Sequence, residues 1–283
     1  MPRALIAGYG YLGEALADLL IDDSWGVEGW TRSPESARQL SHRECSIHAV
    51  DISKGEQVRA KQRDFDAVIH CASTRGGAVD SYRRVYLNGV RNLLDHLRGP
   101  RFIFVSSTSV YAQNTGEWVS EESPAEPIHE TGKILRHSED LVLANGGTAI
   151  RLGGLYGPGR SALMRKFFNG EARIDPENDR FMNQIHRDDA AAAIQFLLRR
   201  GESVPQIYKL VDNEPTLLSD CYRWLASRLN RPLPVSGKST SKRKRGESNK
   251  RVSNAKVRSH GWVPQYPTFA DGMEKSVLLT VGD

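Results

Sequence analysis

The sequence predicts an α/β fold with a doubly wound parallel sheet, and three observations point to it. An apolar run at residues 4–7 leads into Gly8-Tyr9-Gly10-Tyr11-Leu12-Gly13, and an amphipathic stretch follows to Ile21. Apolar runs of strand length alternate with helical patterns over the first half of the chain. Hydroxyl side chains gather at residues 106–109, where the fifth of these runs ends. Strands that alternate with helices imply crossover connections and a sheet covered on both faces.

The glycine motif has the spacing of a turn that binds a dinucleotide. Gly8 permits a tight turn because it has no Cβ. Gly10 leaves room for a diphosphate at the backbone, and Gly13 lets the next helix pack close to the strand. The first amides of that helix and its positive dipole end would face the phosphates. A turn without a ligand is the alternative, but the position between strand and helix favours binding. The predicted binding residues of this turn are Gly8, Tyr9, Gly10, Tyr11, Leu12 and Gly13.

The order of the remaining elements predicts two domains. Further strands are expected at residues 26–30, 47–50, 66–72, 101–107 and 148–152. Helices are expected at residues 13–21, 34–41, 54–63, 80–98, 131–145, 188–200 and 216–229. Turn residues become frequent after about residue 153. We therefore expect a dinucleotide-binding domain over residues 1–153 and a smaller, mainly substrate-binding lobe over residues 154–283, with some of its chain returning to the sheet.

The end of the second strand favours NADP over NAD as the cofactor. A chain that binds NAD usually has Asp or Glu about 20 residues beyond the glycine motif. Here Thr31, Arg32 and Ser33 occupy that place. The Arg32 guanidinium suits a 2′-phosphate, whereas a solvated side chain is the alternative. Ser33 precedes Pro34 and also fits the N-cap of the next helix.

The overall composition of the chain is that of an ordinary globular protein and does not by itself indicate a function. The chain has 283 residues, of which 39% are hydrophobic and 26% charged, as in ordinary globular proteins. It has no membrane-spanning apolar run and no recognisable signal peptide. Three cysteines lie far apart, without the spacing of metal ligands. We expect a cytoplasmic protein with free thiols, no metal and no membrane contact.

A basic segment at residues 238–251 carries much of the net charge of +5. Such a run can bind nucleic acid, but it lacks interleaved aromatic residues. We interpret it as a solvated loop, or as a loop that contacts an anionic substrate. The expected partner is a small-molecule substrate rather than nucleic acid, and the sequence is compatible with a homodimer.

Four stretches together resemble the extended short-chain dehydrogenase/reductase family, in the branch of NAD-dependent epimerases and dehydratases. They are Gly8–Gly13, Asp51-Ile52, Asp66–Ala72 and Ser106–Tyr111, and the similarity extends over nearly the whole chain. The resemblance implies a Rossmann sheet and hydride transfer at a hydroxyl or carbonyl carbon. It also implies further cofactor contacts, which are Asp51, Ile52, Cys71, Ala72, Ser73, Ser106, Lys133, Leu152, Gly153 and Leu155. Taken alone, Asp51 is more typical of a turn or cap residue.

The same resemblance assigns a catalytic hydroxyl to the end of the fifth strand. Alignment on Val110-Tyr111 places the Ser or Thr of the family at Ser107. This hydroxyl would bind the reacting oxygen and hold it near the nicotinamide. Thr108 and Ser109 are expected to contact the substrate. Serines that only cap a turn are the alternative.

The proton-transfer residues depart from the family pattern, which is a Tyr followed four residues later by Lys. Lys133 matches the Lys, but His129 stands four residues before it, and the segment after Pro127 is about two residues short. One hypothesis makes His129 the general acid/base, since imidazole titrates near ~6.5. A second uses Tyr111, and a third is a site that binds cofactor without catalysis. An exposed loop residue is the alternative for His129. This part of the chain is similar to a bacterial branch of the family that has a Gly-Lys pair in place of the Tyr-to-Lys pattern. The similarity favours a stable variant of the site over a decayed copy.

The residues after the sixth strand are expected on the substrate side. Asn183, Gln184 and Arg160 are the candidates for substrate contact, whereas Arg151 is expected to be structural. We therefore expect an NADP-dependent reductase, epimerase or dehydratase acting on a small substrate, for which a sugar nucleotide is one candidate. The alternative is a catalytically inactive NADP-binding redox sensor. A scaffold that binds nucleic acid through residues 238–251 ranks last.

Overall fold

A computed structural model describes residues 1–40, 45–74, 76–97, 101–201, 206–238 and 248–280. The chain forms two compact units. The first consists of Met1–Tyr111, Pro124–Arg151 and Ala191–Tyr208, and the second of Ala112–Ser123, Leu152–Ala190 and Lys209–Asp283.

The central sheet has seven strands in the order β7-β6-β5-β4-β1-β2-β3. They are β1 (Arg3–Ala7), β2 (Gly26–Thr31), β3 (Ser46–Ala49), β4 (Ala67–His70), β5 (Arg101–Ser107), β6 (Thr148–Leu152) and β7 (Gln206–Leu210). β1 pairs in parallel with both β2 and β4, β2 with β3, and β4 with β5. The predicted doubly wound sheet is confirmed. Because the chain runs outward from β1 to β3 and then returns to β4, the strand order reverses between β1 and β4, where open α/β sheets bind ligands.

Helices follow most of the strands. The α-helices are α1 (Tyr11–Asp22), α2 (Pro34–Gln39), α3 (Gly55–Ala60), α4 (Val79–Tyr82), α5 (Gly89–His96), α6 (Glu130–Ala144), α7 (Ala162–Phe168), α8 (Arg187–Arg200), α9 (Leu218–Arg228), α10 (Ala255–Ser259) and α11 (Phe269–Gly272). Two π-helical segments, Arg83–Asn88 and Met273–Val277, continue α4 and α11. Two 3-10 turns are Thr108–Val110 and Leu278–Thr280. The helix predicted at residues 80–98 is thus divided into α4, a π-helical segment and α5.

Apolar side chains bury the middle of the sheet completely. Leu5 and Ile6 of β1, Ile69 of β4 and Phe104 of β5 are fully buried. α1 packs on β1 and β2, and α6 packs on β5. This rigid centre holds the loops at the carboxyl ends of the strands, where the predicted site residues of the first unit lie.

The second unit contains short strand pairs and its own apolar core. Trp118–Val119 pairs with Arg251–Val252, Gly154–Tyr156 with Gln184–His186, and Phe181–Met182 with Thr216–Leu217. Its core gathers side chains of α7, α9 and α11, among them Leu163, Leu225 and Phe269. Within the described residues no helix is both long and apolar enough to span a membrane.

Candidate cofactor-binding site

Gly8 follows β1 and packs against the backbone that follows β4. This packing leaves no space for a side chain at Gly8. Its φ is +100°, in the region that favours glycine. A Cβ at this position would lie 2.2 Å from the amide nitrogen of Ala72 and 2.7 Å from the carbonyl carbon of Cys71. Backbone atoms cannot turn aside, so the packing of the two strands itself requires glycine here.

Gly13 allows α1 to approach β1 closely. A Cβ on Gly13 would lie 2.9 Å from Cγ2 of Ile6 and 3.0 Å from the carbonyl oxygen of Gly8. The neighbouring Leu12 is buried with the inner face of α1. The first turn of the helix is therefore fixed directly beside the end of β1.

Gly10 differs from both, because the surrounding protein leaves it open space. It is the N-cap of α1, and a Cβ added to it would meet no protein atom within 4 Å among the described residues. No side-chain hydrogen bond caps the helix there. The first-turn amides of a helix attract an anion, and an extra methyl group in this space would obstruct it. This arrangement fits the diphosphate of a dinucleotide.

Tyr9 anchors the glycine turn to β2. Its ring is buried against Gly29, where a Cβ would lie 2.4 Å from Cδ2 of Tyr9. Its amide donates to the Trp30 carbonyl over 2.8 Å, and the Cys45 thiol donates to its hydroxyl over 3.4 Å. The role of Tyr9 is thus to hold the turn, whereas Tyr11 is half-buried at the start of α1.

The three residues that end β2 have different environments. The Thr31 hydroxyl donates to the Ser33 carbonyl, and Ser33 caps α2 by accepting from the Ser36 amide, each over 3.2 Å. The predicted N-cap is therefore present. Arg32 is exposed between them. Of these three side chains, the Arg32 guanidinium is the one that an anionic ligand can reach.

Asp51 and Ile52 form the loop after β3. One Asp51 carboxylate oxygen accepts from the amide of Ser53 over 3.0 Å and from its hydroxyl over 2.7 Å. Ile52 is buried, and its carbonyl accepts from the Asn92 side chain over 2.8 Å. Asp51 thus has the turn-forming role that is typical of an isolated Asp, and it stabilises the loop that presents Ile52.

The residues after β4 lie beside the glycine turn. The Cys71 amide donates to the Ala7 carbonyl over 2.8 Å, and burial raises the pKa of the Cys71 thiol to about 12. This thiol is consequently a poor nucleophile. Ser73 is exposed, and its hydroxyl accepts from the Tyr86 phenol at 3.5 Å. Cys71, Ala72 and Ser73 therefore lie at the carboxyl end of β4, where the strand order reverses and open α/β sheets bind ligands.

A buried histidine that the sequence analysis did not single out supports this loop. His70 ends β4, and its Nε2 donates to the Val85 carbonyl of the π-helical segment over 3.0 Å. Its ring meets Phe104 edge-on at 5.2 Å. Burial lowers the pKa of His70 to about 4, so the ring is neutral at pH 7. A lone His within an apolar run carries no signal that distinguishes this role from others.

Ser106 and Ser107 make different contacts at the end of β5. Ser106 is buried and its hydroxyl donates to Glu139 of α6 over 2.6 Å. Ser107 is partly exposed, and its hydroxyl accepts from the Ser109 amide over 3.2 Å, which caps the short turn that contains Thr108 and Ser109. The cap predicted as the alternative role is thus present at Ser107 itself.

Tyr111 is bonded to a buried ion pair. Arg151 donates through Nε and Nη2 to Glu139, over 3.1 and 2.8 Å, and through Nη1 to the Tyr111 hydroxyl over 2.7 Å. Tyr111 and Arg151 are each 2% exposed. Arg151 therefore has the structural role expected of it, and the phenol of Tyr111 is held inside the first unit.

His129 and Lys133 lie at the start of α6, and both are exposed. His129 is the N-cap, and its carbonyl accepts from the amides of Gly132 and Lys133. Lys133 Nζ lies 3.8 Å from Glu130, with side chains 57% and 51% exposed. Gly132 packs tightly, because its Cβ would lie 2.6 Å from Cβ of Pro127 and 3.3 Å from the Ser109 carbonyl oxygen. The backbone of this first turn thus contacts the Ser109 loop, while the Lys133 side chain is exposed.

The candidates for substrate contact belong to the second unit. Asn183 uses both ends of its amide, since it donates to the Lys250 carbonyl over 2.9 Å and accepts from the Val252 amide over 2.7 Å. Gln184 is buried, and its Oε1 finds no hydrogen-bond partner among the described residues. Arg160 is exposed. Asn183 thus holds two stretches of backbone together, and contact of Gln184 with a substrate stays a prediction.

The other predicted residues of this unit, and Lys250 of the basic segment 238–251, are placed as follows. Leu152 is buried, and Gly153 and Leu155 are partly exposed. The Gly153 amide donates to the Leu210 carbonyl over 2.9 Å. Lys250 is 3% exposed, and burial lowers its pKa to about 8. Residues 239–247, which hold most of the basic segment, lie outside the described residues.

The profile of the NAD dependent epimerase/dehydratase family matches residues 4–210. The chain belongs to this family. A curated relative, protein YeeZ of Escherichia coli strain K12, is 32% identical over 212 residues, which cover 70% of this chain and 74% of YeeZ.

Two solved structures show the same fold over the whole chain. One is from Methylobacillus flagellatus and is described as a candidate NAD-dependent epimerase/dehydratase. It is 30% identical, covers 100% of this chain and 99% of its own, and has a TM-score of 0.82. The other is the UDP-glucose 4-epimerase of Thermus thermophilus in complex with NAD. It is 19% identical, covers 99% of both chains and has a TM-score of 0.81. The second likeness concerns the fold alone.

Membership in the epimerase/dehydratase family explains the two kinds of glycine in the turn. Gly8 and Gly13 are required by the packing of the fold, whereas Gly10 leaves space that the protein does not fill. The family is NAD dependent, and the open space at Gly10 beside the first amides of α1 fits the diphosphate of such a dinucleotide. Besides His70, sequence reasoning missed Glu139 near the site. A charged residue among the mostly apolar buried positions of α6 was the signal that could have revealed it.

Proposed function

We propose that this epimerase/dehydratase-family chain binds NADP and catalyses hydride transfer at a hydroxyl or carbonyl carbon of a small substrate. The open space beside Gly10 carries this proposal. Two glycines of the motif serve the fold, but the third has no packing reason to be glycine among the described residues. A bound diphosphate supplies that reason.

Arg32 supports NADP as the preferred cofactor. Its side chain is exposed at the end of β2, between two residues whose hydroxyls are already bonded to backbone groups. A guanidinium binds a phosphate through two parallel hydrogen bonds and also stacks on adenine. The end of β2 has no acidic residue at these positions. Such a residue would accept a hydrogen bond from a free ribose 2′-hydroxyl and repel a 2′-phosphate.

Ser107 orients the substrate in this proposal. It is partly exposed at the end of β5, and a hydroxyl at this place can form a hydrogen bond with a substrate oxygen. That bond would hold the reacting carbon against the nicotinamide, which supplies the hydride chemistry when bound.

His129 is the better proposed proton-transfer residue. It is exposed at the N-cap of α6, whereas Tyr111 is buried and bonded to Arg151. Lys133 would bind the nicotinamide ribose. Its exposed pair with Glu130 contributes only about 0.2–1 kcal/mol, so a ribose hydroxyl can replace it.

Calorimetry with NADP⁺ and NAD⁺ tests the cofactor. We expect tighter binding of NADP⁺, and we expect Arg32→Ala to weaken it about tenfold or more while leaving NAD⁺ binding nearly unchanged. Arg38→Ala is the matched control, because Arg38 is also an exposed arginine but lies further along the chain, on α2. If neither NADP⁺ nor NAD⁺ bound, the proposal would be refuted.

A redox sensor is the second candidate, and the placement of Tyr111 favours it. Tyr111 is buried and bonded to Arg151, and His129 stands where the family has its catalytic Tyr. NADPH consumption with a panel of aldehydes, ketones and keto sugars separates the two functions. Turnover of any compound supports the enzyme, and tight NADPH binding without turnover supports the sensor.

A further inference from the structure

One buried ion pair contacts both ends of the segment Ser106–Tyr111. At the first end, the Ser106 hydroxyl donates to Glu139 over 2.6 Å. At the second, Tyr111 accepts from Arg151 over 2.7 Å. Glu139 accepts three hydrogen bonds from Arg151, two from Nε and one from Nη2. The segment is thus closed into a loop by side chains of α6 and β6.

The connection is rigid because all of its members are buried. Glu139 is fully buried, and Ser106, Tyr111 and Arg151 are nearly so. Charged hydrogen bonds are shorter and stronger than neutral ones, and a low dielectric strengthens them further. Arg136 adds a second cation, 3.5 Å from Glu139. The carboxylate is therefore held by one hydroxyl and two arginines.

Between these anchors, two local hydrogen bonds shape the turn. Residues 107–109 are partly exposed. The Ser109 amide donates to the Ser107 hydroxyl over 3.2 Å, and the Tyr111 amide donates to the Thr108 carbonyl over 3.3 Å. Because successive side chains of a strand leave on opposite sides, fixing Ser106 also fixes the direction in which Ser107 leaves β5.

We propose that Glu139, Arg151 and Tyr111 are positioning residues for the Ser107 hydroxyl. The inference rests on the proposed role of Ser107 in hydride transfer. The inference gives Tyr111 a function other than proton transfer. Its phenol accepts a hydrogen bond from Nη1 of Arg151, which fixes the end of the segment Ser106–Tyr111 that lies furthest from Ser106. Misplacement of an orienting group by about 1 Å is enough to cost a large part of the rate.

Conservative variants test the connection without breaking the ion pair. Glu139→Gln leaves a buried arginine unpaired and endangers folding. Tyr111→Phe and Ser106→Ala each remove one hydroxyl and keep Glu139 with Arg151. Ser138→Ala is the matched control, because this buried hydroxyl of α6 donates to the Ile134 carbonyl of its own helix, over 2.8 Å.

Native-state hydrogen exchange of the Ser109 amide is the first measurement, because its acceptor is Ser107 itself. Exchange at Ser109 is compared with that at Ile6 in the middle of β1. We expect Tyr111→Phe and Ser106→Ala to lower protection at Ser109 about tenfold relative to Ile6, and Ser138→Ala to leave the ratio unchanged. Equal losses at both amides, or no loss, would overturn the proposal.

Turnover is the second measurement, with the carbonyl compound that gives the fastest NADPH consumption. We expect kcat to fall about tenfold in Tyr111→Phe and Ser106→Ala while the KM for NADPH stays within about twofold. Unchanged kcat together with altered exchange would overturn positioning of the reaction. If wild type turns over no compound, the proposed function fails, and the exchange ratio alone decides whether the ion pair positions Ser107.

Discussion

The backbone of Ala72 lies where a side chain on Gly8 would begin, with only 2.2 Å between the Ala72 nitrogen and that Cβ position. The ends of β1 and β4 therefore touch at the point where the strand order reverses. A crevice at such a point is set by the topology of the sheet and does not depend on any one polar side chain. The glycine turn, the Ala72 loop and α1 meet there.

Two glycine variants separate the fold from the site. We expect Gly8→Ala to destabilise the protein by about 3 kcal/mol or more, because the methyl group meets backbone and the φ is positive. We expect Gly10→Ala to leave the melting temperature within a few degrees of wild type and to weaken NADP⁺ binding about tenfold or more. Thermal unfolding and calorimetry measure the two effects. Normal cofactor binding in Gly10→Ala would contradict the assignment of this turn.

Asn183 is expected to act on stability. Asn183→Ala removes two hydrogen bonds to backbone groups of Lys250 and Val252, at a cost of about 2–4 kcal/mol. Asn178→Ala is the control, because Asn178 is exposed and bonds only locally to Asp175 among the described residues. Chemical denaturation measures the difference. A stable Asn183→Ala protein with an altered KM would instead favour direct contact with substrate.

His70 is expected to make stability depend on pH. Burial lowers the pKa of His70 to about 4, so the unfolded chain binds a proton at a higher pH than the folded one. Stability then rises with pH between about 4 and ~6.5 and is lost as pH falls through this window. This one group accounts for a loss of about 2 kcal/mol between pH 7 and pH 5.

The control for that pH effect is His70→Gln, whose side-chain amide can still donate to Val85. Urea denaturation at both pH values should show a smaller difference for this variant than for wild type, by about 2 kcal/mol. The same difference in both proteins would mean that other histidines carry the effect.

The strand pattern was predictable because apolar runs of strand length bury on both faces of a parallel sheet. β7 escaped this pattern because Lys209 interrupts it. The Lys209 side chain is buried, where Nζ donates to the Val119 carbonyl over 2.6 Å and lies 3.5 Å from Glu121. Those partners are about 90 residues away in the chain, so only the folded structure explains a lysine in a buried strand.

The site was predictable in part for a similar reason. The glycine spacing and the Ser33-Pro34 cap are local signals, and the structure contains both features. The π-helical segment Arg83–Asn88 changes a hydrogen-bond register that side-chain periodicity does not encode. The bond from Arg151 to Tyr111 joins residues that lie 40 positions apart. No spacing rule connects them, so the sequence left Tyr111 as a candidate for proton transfer.

His129→Phe tests the proposed proton-transfer residue. The exposed imidazole precedes α6, whose first turn contacts the Ser109 carbonyl through Gly132. If His129 moves the proton, its loss should lower kcat about 10²-fold or more and change the shape of the pH–rate profile, because phenylalanine cannot exchange a proton. NADPH affinity should change little. His137→Phe is the control, since His137 is exposed on the same helix and lies two turns further on. Unchanged turnover and pH profile in His129→Phe would show that this histidine is an exposed loop residue, and catalysis would then require another proton donor.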